Sequence, residues 1–425
     1  MSTKNPVMVS FDNTENAFEY KSDKDLKKAR FLFKTMSFSS LVKWGTRLTP
    51  WAIEVGLPIN KLIRSTIFTQ FVGGETLEET APVAHTLGEY HVQVILDYGV
   101  EGGDDGEAAY DNSCNEFIKV INYASTQPNI PFMSVKVTGI ARLQLLEKMD
   151  DLMGSFDPKL SLMKRYVKAL DALSIAERSE WYLVNGRLQR ICEAGSKKNV
   201  GVLIDAEETW IQEPVDVITT LMMEQFNIEK ITVYNTFQLY RHDRLKFLKD
   251  SYEAAEQRRF LLGAKLVRGA YMEKERERAK EKGYESPIQP DKESTDRDYN
   301  EAVRFCIEHV ETIAVIVASH NENSNMLTTK LLDQHGLEHN HPRVHFSQLY
   351  GMSDNITFNL AKAGFSVSKY LPFGPIKDVI PYLMRRAQEN SSVKGQTGRE
   401  LGLIKKELER GEVKVLRVQK GSEVE

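Results

Sequence analysis

Cysteine is scarce in this chain: Cys114, Cys192 and Cys306 stand far apart, and no Cys-x-x-Cys occurs. That excludes a disulfide framework and a thiolate zinc site, and it fits reduced thiols in a cytosolic or matrix-like compartment. Long hydrophobic runs are also missing. None approaches the roughly 20 residues a spanning helix needs, so any membrane contact is expected to be peripheral. The formal net charge is −4, which gives no reason to expect a nucleic-acid partner. The N-terminal stretch lacks an apolar core and soon carries Asp12, Glu15 and Glu19, unlike a secretory signal or an Arg-rich transit peptide. Neither a Walker A loop nor Gly-x-Gly-x-x-Gly is present, so a nucleotide would be held without those devices.

What is present is an ordinary globular composition, 41% hydrophobic and 27% charged over 425 residues. Residues 1–88 carry helical periodicity, in Asp23–Lys43 and again in Pro58–Gln70 before Gly73-Gly74. Short apolar runs then recur with helical stretches between them: Val92–Tyr98, Phe132–Thr138, Gly201–Asp205, Lys230–Tyr234, Gly263–Val267, Ile313–Ser319, Arg343–Ser347 and Phe365–Tyr370. Strand–helix alternation implies a parallel sheet, and eight units predict an α/β fold of the TIM type, a (β/α)8 barrel, over 89–395. Residues 141–199 exceed one helix and read as a helical insertion of two or three helices between strands two and three. The charged stretch 273–295 reads as a loop over strand five, and 396–425 as one amphipathic helix with a polar end.

Catalytic groups of a barrel sit where its strands run out. Those positions hold Lys136, Asp205, Glu207, Gln238, Lys265, Arg268, His320, Asn321 and Tyr370. Beyond Tyr370, the signals Pro372, Gly374 and Pro375 mark a turn, and Pro381 is expected to start or kink the helix that carries Arg385, Arg386 and Glu389. Lys136, Lys265, Arg385 and Arg386 set against few carboxylates make this mouth an expected anion site. Paired guanidiniums facing a strand-end tyrosine suit a small carboxylic acid. A strand-end Asp is also a common helix cap, and an Arg-Arg-x-x-Glu is commonly a solvated ion pair. No metal site is expected at His339, His341 and His345.

Ser134-Val-Lys136, Asp205-Ala-Glu-Glu208, Lys265-Leu-Val-Arg-Gly-Ala-Tyr271, Ser319-His-Asn321 and Tyr370 followed by Tyr382–Asn390 occur in an order and spacing that resembles the proline dehydrogenase family. The freestanding, single-activity form is the nearest match, with no aldehyde dehydrogenase domain expected after Asn390. The resemblance implies FAD held noncovalently, oxidation of L-proline to 1-pyrroline-5-carboxylate in proline catabolism, and a quinone as electron acceptor. It implies substrate contacts from Lys136, Tyr271, Leu349, Tyr370, Arg385 and Arg386, with Asp205 organising the site. It implies flavin contacts from Ala206, Gln238, Lys265, Val267, Arg268, Gly269, Ala270, His320, Asn321, Arg386 and Glu389. Lys265 and Met272 depart from the Arg and the aromatic of many bacterial members. The place of action implied is the cytoplasm, or the matrix side of the inner membrane in a eukaryote. Hydroxyproline oxidation is an alternative within the class. Outside it stands a barrel lyase forming a Schiff base on Lys136 or Lys265, which would be colourless and trapped by borohydride.

Overall fold

The computed structural model describes residues 9–38, 40, 42, 44–45, 47, 59–99, 106–392 and 394–421. First come α1 (Thr14–Phe18) and α2 (Asp23–Met36). Then α3 (Asn60–Ile63) runs through a π-helical turn into Thr69–Phe71, and α4 (Leu77–Glu89) follows. Strands and helices then alternate: β1 (Gln93–Tyr98), α5 (Glu107–Ala124) and β2 (Phe132–Val135). The interval after β2 holds three helices, α6 (Leu143–Gly154), α7 (Leu162–Ala172) and α8 (Ile175–Lys198). Next are β3 (Gly201–Ile204), α9 (Gln212–Phe226), β4 (Val233–Gln238), α10 (Arg244–Arg258) and β5 (Leu262–Val267). Two helices, α11 (Met272–Lys282) and α12 (Lys292–Glu308), precede β6 (Ile313–Ala318). The remainder is α13 (Glu322–Gln334), β7 (Val344–Leu349), α14 (Asp354–Lys362), β8 (Val367–Phe373), α15 (Ile376–Ser392) and α16 (Lys394–Gly421).

All eight expected strands form, and they close into a parallel barrel in chain order. Parallel strands covered on both faces are continuously apolar, as in Gly201–Ile204, where every residue is buried. The insertion is a triplet. Its α8 starts in a capping box between Ser174 and Glu177 and stops where Asn199 turns left-handed.

Two expectations are corrected. The strand expected at Lys230–Tyr234 lies at Val233–Gln238, because Asn235 and Thr236 are buried there with partners: Asn235 Nδ2 donates to Asp216 at 2.9 Å and Thr236 Oγ1 to the Ile204 carbonyl at 2.7 Å. The stretch expected as a loop at 273–295 is mostly helix. Glu, Lys and Arg favour helix, with Glu273 and Glu275 in its first turn, Lys280 and Lys282 in its last, and Gly283 closing it at φ +74. The helix carrying the arginine pair begins at Ile376 and holds Pro381 inside it, a position at which a proline bends a helix rather than starting one. Part of the predicted Asp23–Lys43 helix and part of Pro58–Gln70 lie outside the described residues.

The chain divides into two compact units, residues 94–347 and residues 1–93 with 348–425. In the second, Leu26, Ala29 and Phe33 of α2 share a core with Phe71, with Val379 and Leu383 of α15, and with Leu403 and Ile404 of α16. A buried polar network accompanies that core. Tyr20 Oη and Lys21 Nζ donate to Asp354 at 2.9 and 2.7 Å, and Lys369, fully buried, lies 2.8 Å from its other oxygen. Burial would raise the Asp354 carboxyl, but Lys21 and Lys369 outweigh it and hold the group well below the usual carboxylate range. Glu400 of α16 accepts the Ser353 N–H; burial, aided by Asp354, pushes its pKa up to about 7.

A Cβ on Gly351, at φ +77, would lie 1.9 Å from the Gln70 carbonyl oxygen, whereas one on Gly364, at φ +86, meets nothing. Gly351→Ala should therefore lose about 2–4 kcal/mol in urea unfolding and Gly364→Ala about 1 kcal/mol. The folded chain holds a proton on Glu400 that the unfolded chain has released above its ordinary 4.5. Glu400 therefore makes stability fall as pH rises from about 4.5 towards about 7. Unfolding midpoints across that range should flatten in Glu400→Gln.

Candidate active site

Within the 94–347 unit, four strands bring opposite charges together at their ends. Asp97 stands one residue before the end of β1, in register with Ser134 of β2. Lys136 follows β2 directly and donates to both Asp97 oxygens, at 3.0 and 3.2 Å. Ser134 Oγ donates to Asp97 at 2.9 Å. Asp205, just after β3, lies 3.8 Å from Lys136 and accepts a hydrogen bond from Lys265 of β5. All four charged groups are buried. A buried charge persists only when paired, so the strands can carry these residues only as a set. The expectation of cations against few carboxylates is corrected here, since Lys136 and Lys265 are balanced by Asp97 and Asp205. Asp97 escapes the sequence reading because it sits inside the apolar run Val92–Tyr98; an acid in such a strand is itself a signal that a cation must face it.

A second layer lies around this quartet. Gln238, ending β4, donates to the Glu207 carbonyl at 2.6 Å and to Tyr240 Oη at 3.0 Å. Glu207 in turn accepts from the Thr138 hydroxyl at 2.8 and 3.0 Å, and Ala206 is buried beside it. Arg268, just past β5, donates to Ser319 at 2.6 Å, Ser324 at 2.8 Å and Asp296 at 3.0 Å, with its guanidinium 3.6 Å above the Tyr299 ring. Burial pulls its pKa down against the opposing pull of Tyr299 and Asp296. Asn321 caps α13, accepting the Ser324 N–H at 3.0 Å, and reaches Asp296 at 3.4 Å. Val267 and His320 are part-buried, Gly269 and Ala270 are exposed, and Tyr271 is buried at the start of α11. Glu275 fastens that helix by accepting the Thr209 N–H and hydroxyl, both at 2.7 Å, while Arg278 lies 4.1 Å over the Trp210 ring.

The other unit gathers the remaining residues. Tyr370 on β8 is buried, and its carbonyl accepts the Tyr350 N–H at 2.9 Å, next to Leu349. Lys369 donates to the Met352 carbonyl at 2.5 Å, which ties the same loop to β8. On α15, Arg386 is 5% exposed and lies 3.1 Å from Glu389. Its guanidinium is 5.1 Å from the Tyr382 ring centroid, and Arg385 is part-buried. The buried Nε atoms of Arg268 and Arg386 have no hydrogen-bond partner among the described residues.

The family model described as proline dehydrogenase matches residues 81–399. The chain belongs to the proline dehydrogenase family. It is 33% identical to "Proline dehydrogenase 1, mitochondrial" of Dictyostelium discoideum over 83% of this chain and 66% of that one. To the Arabidopsis thaliana protein of the same name it is 32% identical over 91% and 83%, and to the Xenopus laevis "Hydroxyproline dehydrogenase" 31% over 92% and 88%. Among solved structures, proline utilization A from Bdellovibrio bacteriovorus, inactivated by N-propargylglycine, aligns with a TM-score of 0.68 at 18% identity. That alignment covers 91% of this chain and 42% of that one, and it supports the barrel alone. The chain thus spans just under two thirds of the slime-mould relative and less than half of this solved chain.

The quartet predicts strong coupling. Asp97→Asn and Lys136→Met should each destabilise by about 3–5 kcal/mol, because each leaves a buried charge unpaired. The double variant should cost less than their sum by about 0.5–3 kcal/mol. Denaturant unfolding of the three variants and the parent measures this, and strict additivity would mean the pair is not an ionic unit.

Proposed function

We propose that the chain oxidises L-proline to 1-pyrroline-5-carboxylate in proline catabolism, with noncovalent FAD and a quinone as acceptor. The observation that carries this reading is that every proposed site residue, from Lys136 to Glu389, falls inside the family match at 81–399. The residues suit the group. Arg268 is part-buried with a buried, unpartnered Nε, and a Cβ at Gly269 would meet nothing within 4 Å, so a flat ligand can approach the backbone after β5. Gln238, Lys265, Val267, Arg268, Gly269, Ala270, His320, Asn321, Ala206, Arg386 and Glu389 would hold it. When bound, FAD supplies a two-electron acceptor for the carbon next to the ring nitrogen.

The chain's own residues do the rest. Arg385 and Arg386 bind the substrate carboxylate through charge-assisted hydrogen bonds. Lys136 adds a cation whose charge Asp97 already offsets, so the arginines supply the net attraction. Asp205 positions Lys136 and Lys265 and does not itself react. Tyr370, Leu349 and Tyr271 wall the pyrrolidine ring and exclude water, and the carboxylate clamp fixes which ring carbon faces the acceptor. A Schiff base on Lys136 or Lys265 finds no support, since both ammonium groups are engaged by carboxylates and an ammonium is not a nucleophile.

Hydroxyproline is the second reading, favoured by the likeness to the Xenopus relative. A phenol at 370 packed on the ring leaves no space to solvate a 4-hydroxyl, which favours proline. The names of the slime-mould and plant relatives support a mitochondrial place of action if the chain is eukaryotic. Among the described residues no helix is long and apolar enough to cross a membrane, so contact with a quinone pool would be peripheral.

The purified protein should be yellow, bleach anaerobically on adding L-proline, and release its flavin on acid precipitation. A colourless protein, or one unbleached by proline, overturns the reading. Arg385→Met and Arg386→Met should each weaken proline binding about tenfold to a hundredfold, the loss of about 1.5–3 kcal/mol per charged hydrogen bond. Unchanged steady-state kinetics would reduce the pair to a structural role. Tyr370→Ser should lower kcat/KM for proline and narrow its lead over trans-4-hydroxy-L-proline.

A further inference from the structure

α2 has two faces of opposite character. At roughly 100° per residue, Leu26, Ala29, Phe33 and Met36 fall on one side, and all four are buried in the core shared with α16. Opposite them lie Lys24, Lys27, Lys28, Phe31 and Lys34, with Arg30 at the margin, all exposed. Phe38, just beyond the helix, continues that spacing. Phe31 is 70% exposed and Phe38 51%, so neither serves the core. Among the described residues none of these five bases makes an ion pair. The local charge balance points the same way: residues 24–64 hold nine Lys or Arg against Asp25 and Glu54, in a chain whose net charge is −4. Trp44 and Leu62 of the same stretch are 66% and 65% exposed.

A face that only met water would have no use for two phenylalanines set opposite the core. A soluble acidic partner would match the lysines with carboxylates but would not explain the rings. A lipid surface accounts for both. Aromatic rings enter the headgroup region, lysine stems lie along the apolar boundary, and their ammonium groups meet phosphate. We propose that the outer face of α2 docks the protein on a membrane rich in anionic lipid, with Phe31 and Phe38 inserted and Lys24, Lys27, Lys28 and Lys34 on lipid phosphates. This rests on the proposed quinone acceptor only for its purpose, since a quinone dissolves in the bilayer. The docking itself needs no turnover.

Co-sedimentation of the whole protein with phosphatidylcholine vesicles, with and without phosphatidylglycerol, tests it at low and high salt. Binding is expected on the anionic vesicles at low salt, and about tenfold weaker or more on neutral vesicles or at high salt. Phe31→Ser with Phe38→Ser, and separately Lys24→Gln with Lys28→Gln and Lys34→Gln, should each weaken it about tenfold. Both variants should keep the parent's melting temperature and its proline turnover with a soluble dye. Absence of binding, equal binding to both vesicle types, or indifference to the phenylalanine pair would overturn the proposal. So would release of the bound protein by polyglutamate from anionic vesicles in a way that ignores that pair, which would mark an acidic protein as the partner. Loss of dye-linked turnover in the parent, with vesicle binding intact, would count against proline oxidation and leave the docking standing.

Discussion

The interaction on which the 94–347 unit most depends is the alternating chain Asp97–Lys136–Asp205–Lys265. Each member leaves a different strand, and each would be intolerable alone in a buried strand end. Together they fix where the ends of β1, β2, β3 and β5 stand relative to one another. Ser134 adds a neutral donor to Asp97, so the carboxylate with two ammonium-facing oxygens is also hydrogen-bonded from its neighbouring strand. Such a set is rigid for an electrostatic reason: moving any one charge away from its partners exposes two of them to uncompensated burial. Rigidity at this position is what a reaction governed by orientation requires.

A similar logic operates in the other unit, on a different scale. Lys369 is fully buried on β8, one residue before Tyr370, and is held by the Met352 carbonyl and by Asp354. Asp354 is held in turn by Tyr20 and Lys21, 334 and 333 residues away in sequence. Glu400 of α16 meets the backbone one residue before Asp354. Segments outside the barrel thus stabilise the backbone beside Leu349 and Tyr370, which explains why helices that a barrel does not need are packed so tightly here.

The elements that misled the sequence reading share a cause. High charge suggested a loop at 273–295, yet Glu275 and Arg278 find partners in Thr209 and Trp210 and the stretch is helical. Polar residues suggested that strand four ended early, yet Asn235 and Thr236 are satisfied inside it. In both places a tertiary partner, invisible in the local pattern, reversed the meaning of a polar residue.

By itself the sequence determined the eight strands and their order, because apolar runs separated by helical stretches have no other economical way to bury themselves. It also determined the family, through motifs whose order and spacing no single one could supply. Only the tertiary structure decided which charges face which. Asp97 lies 39 residues from Lys136, and Lys265 lies 60 from Asp205. Pairing across such distances is set by closure of the barrel, and no local periodicity encodes it.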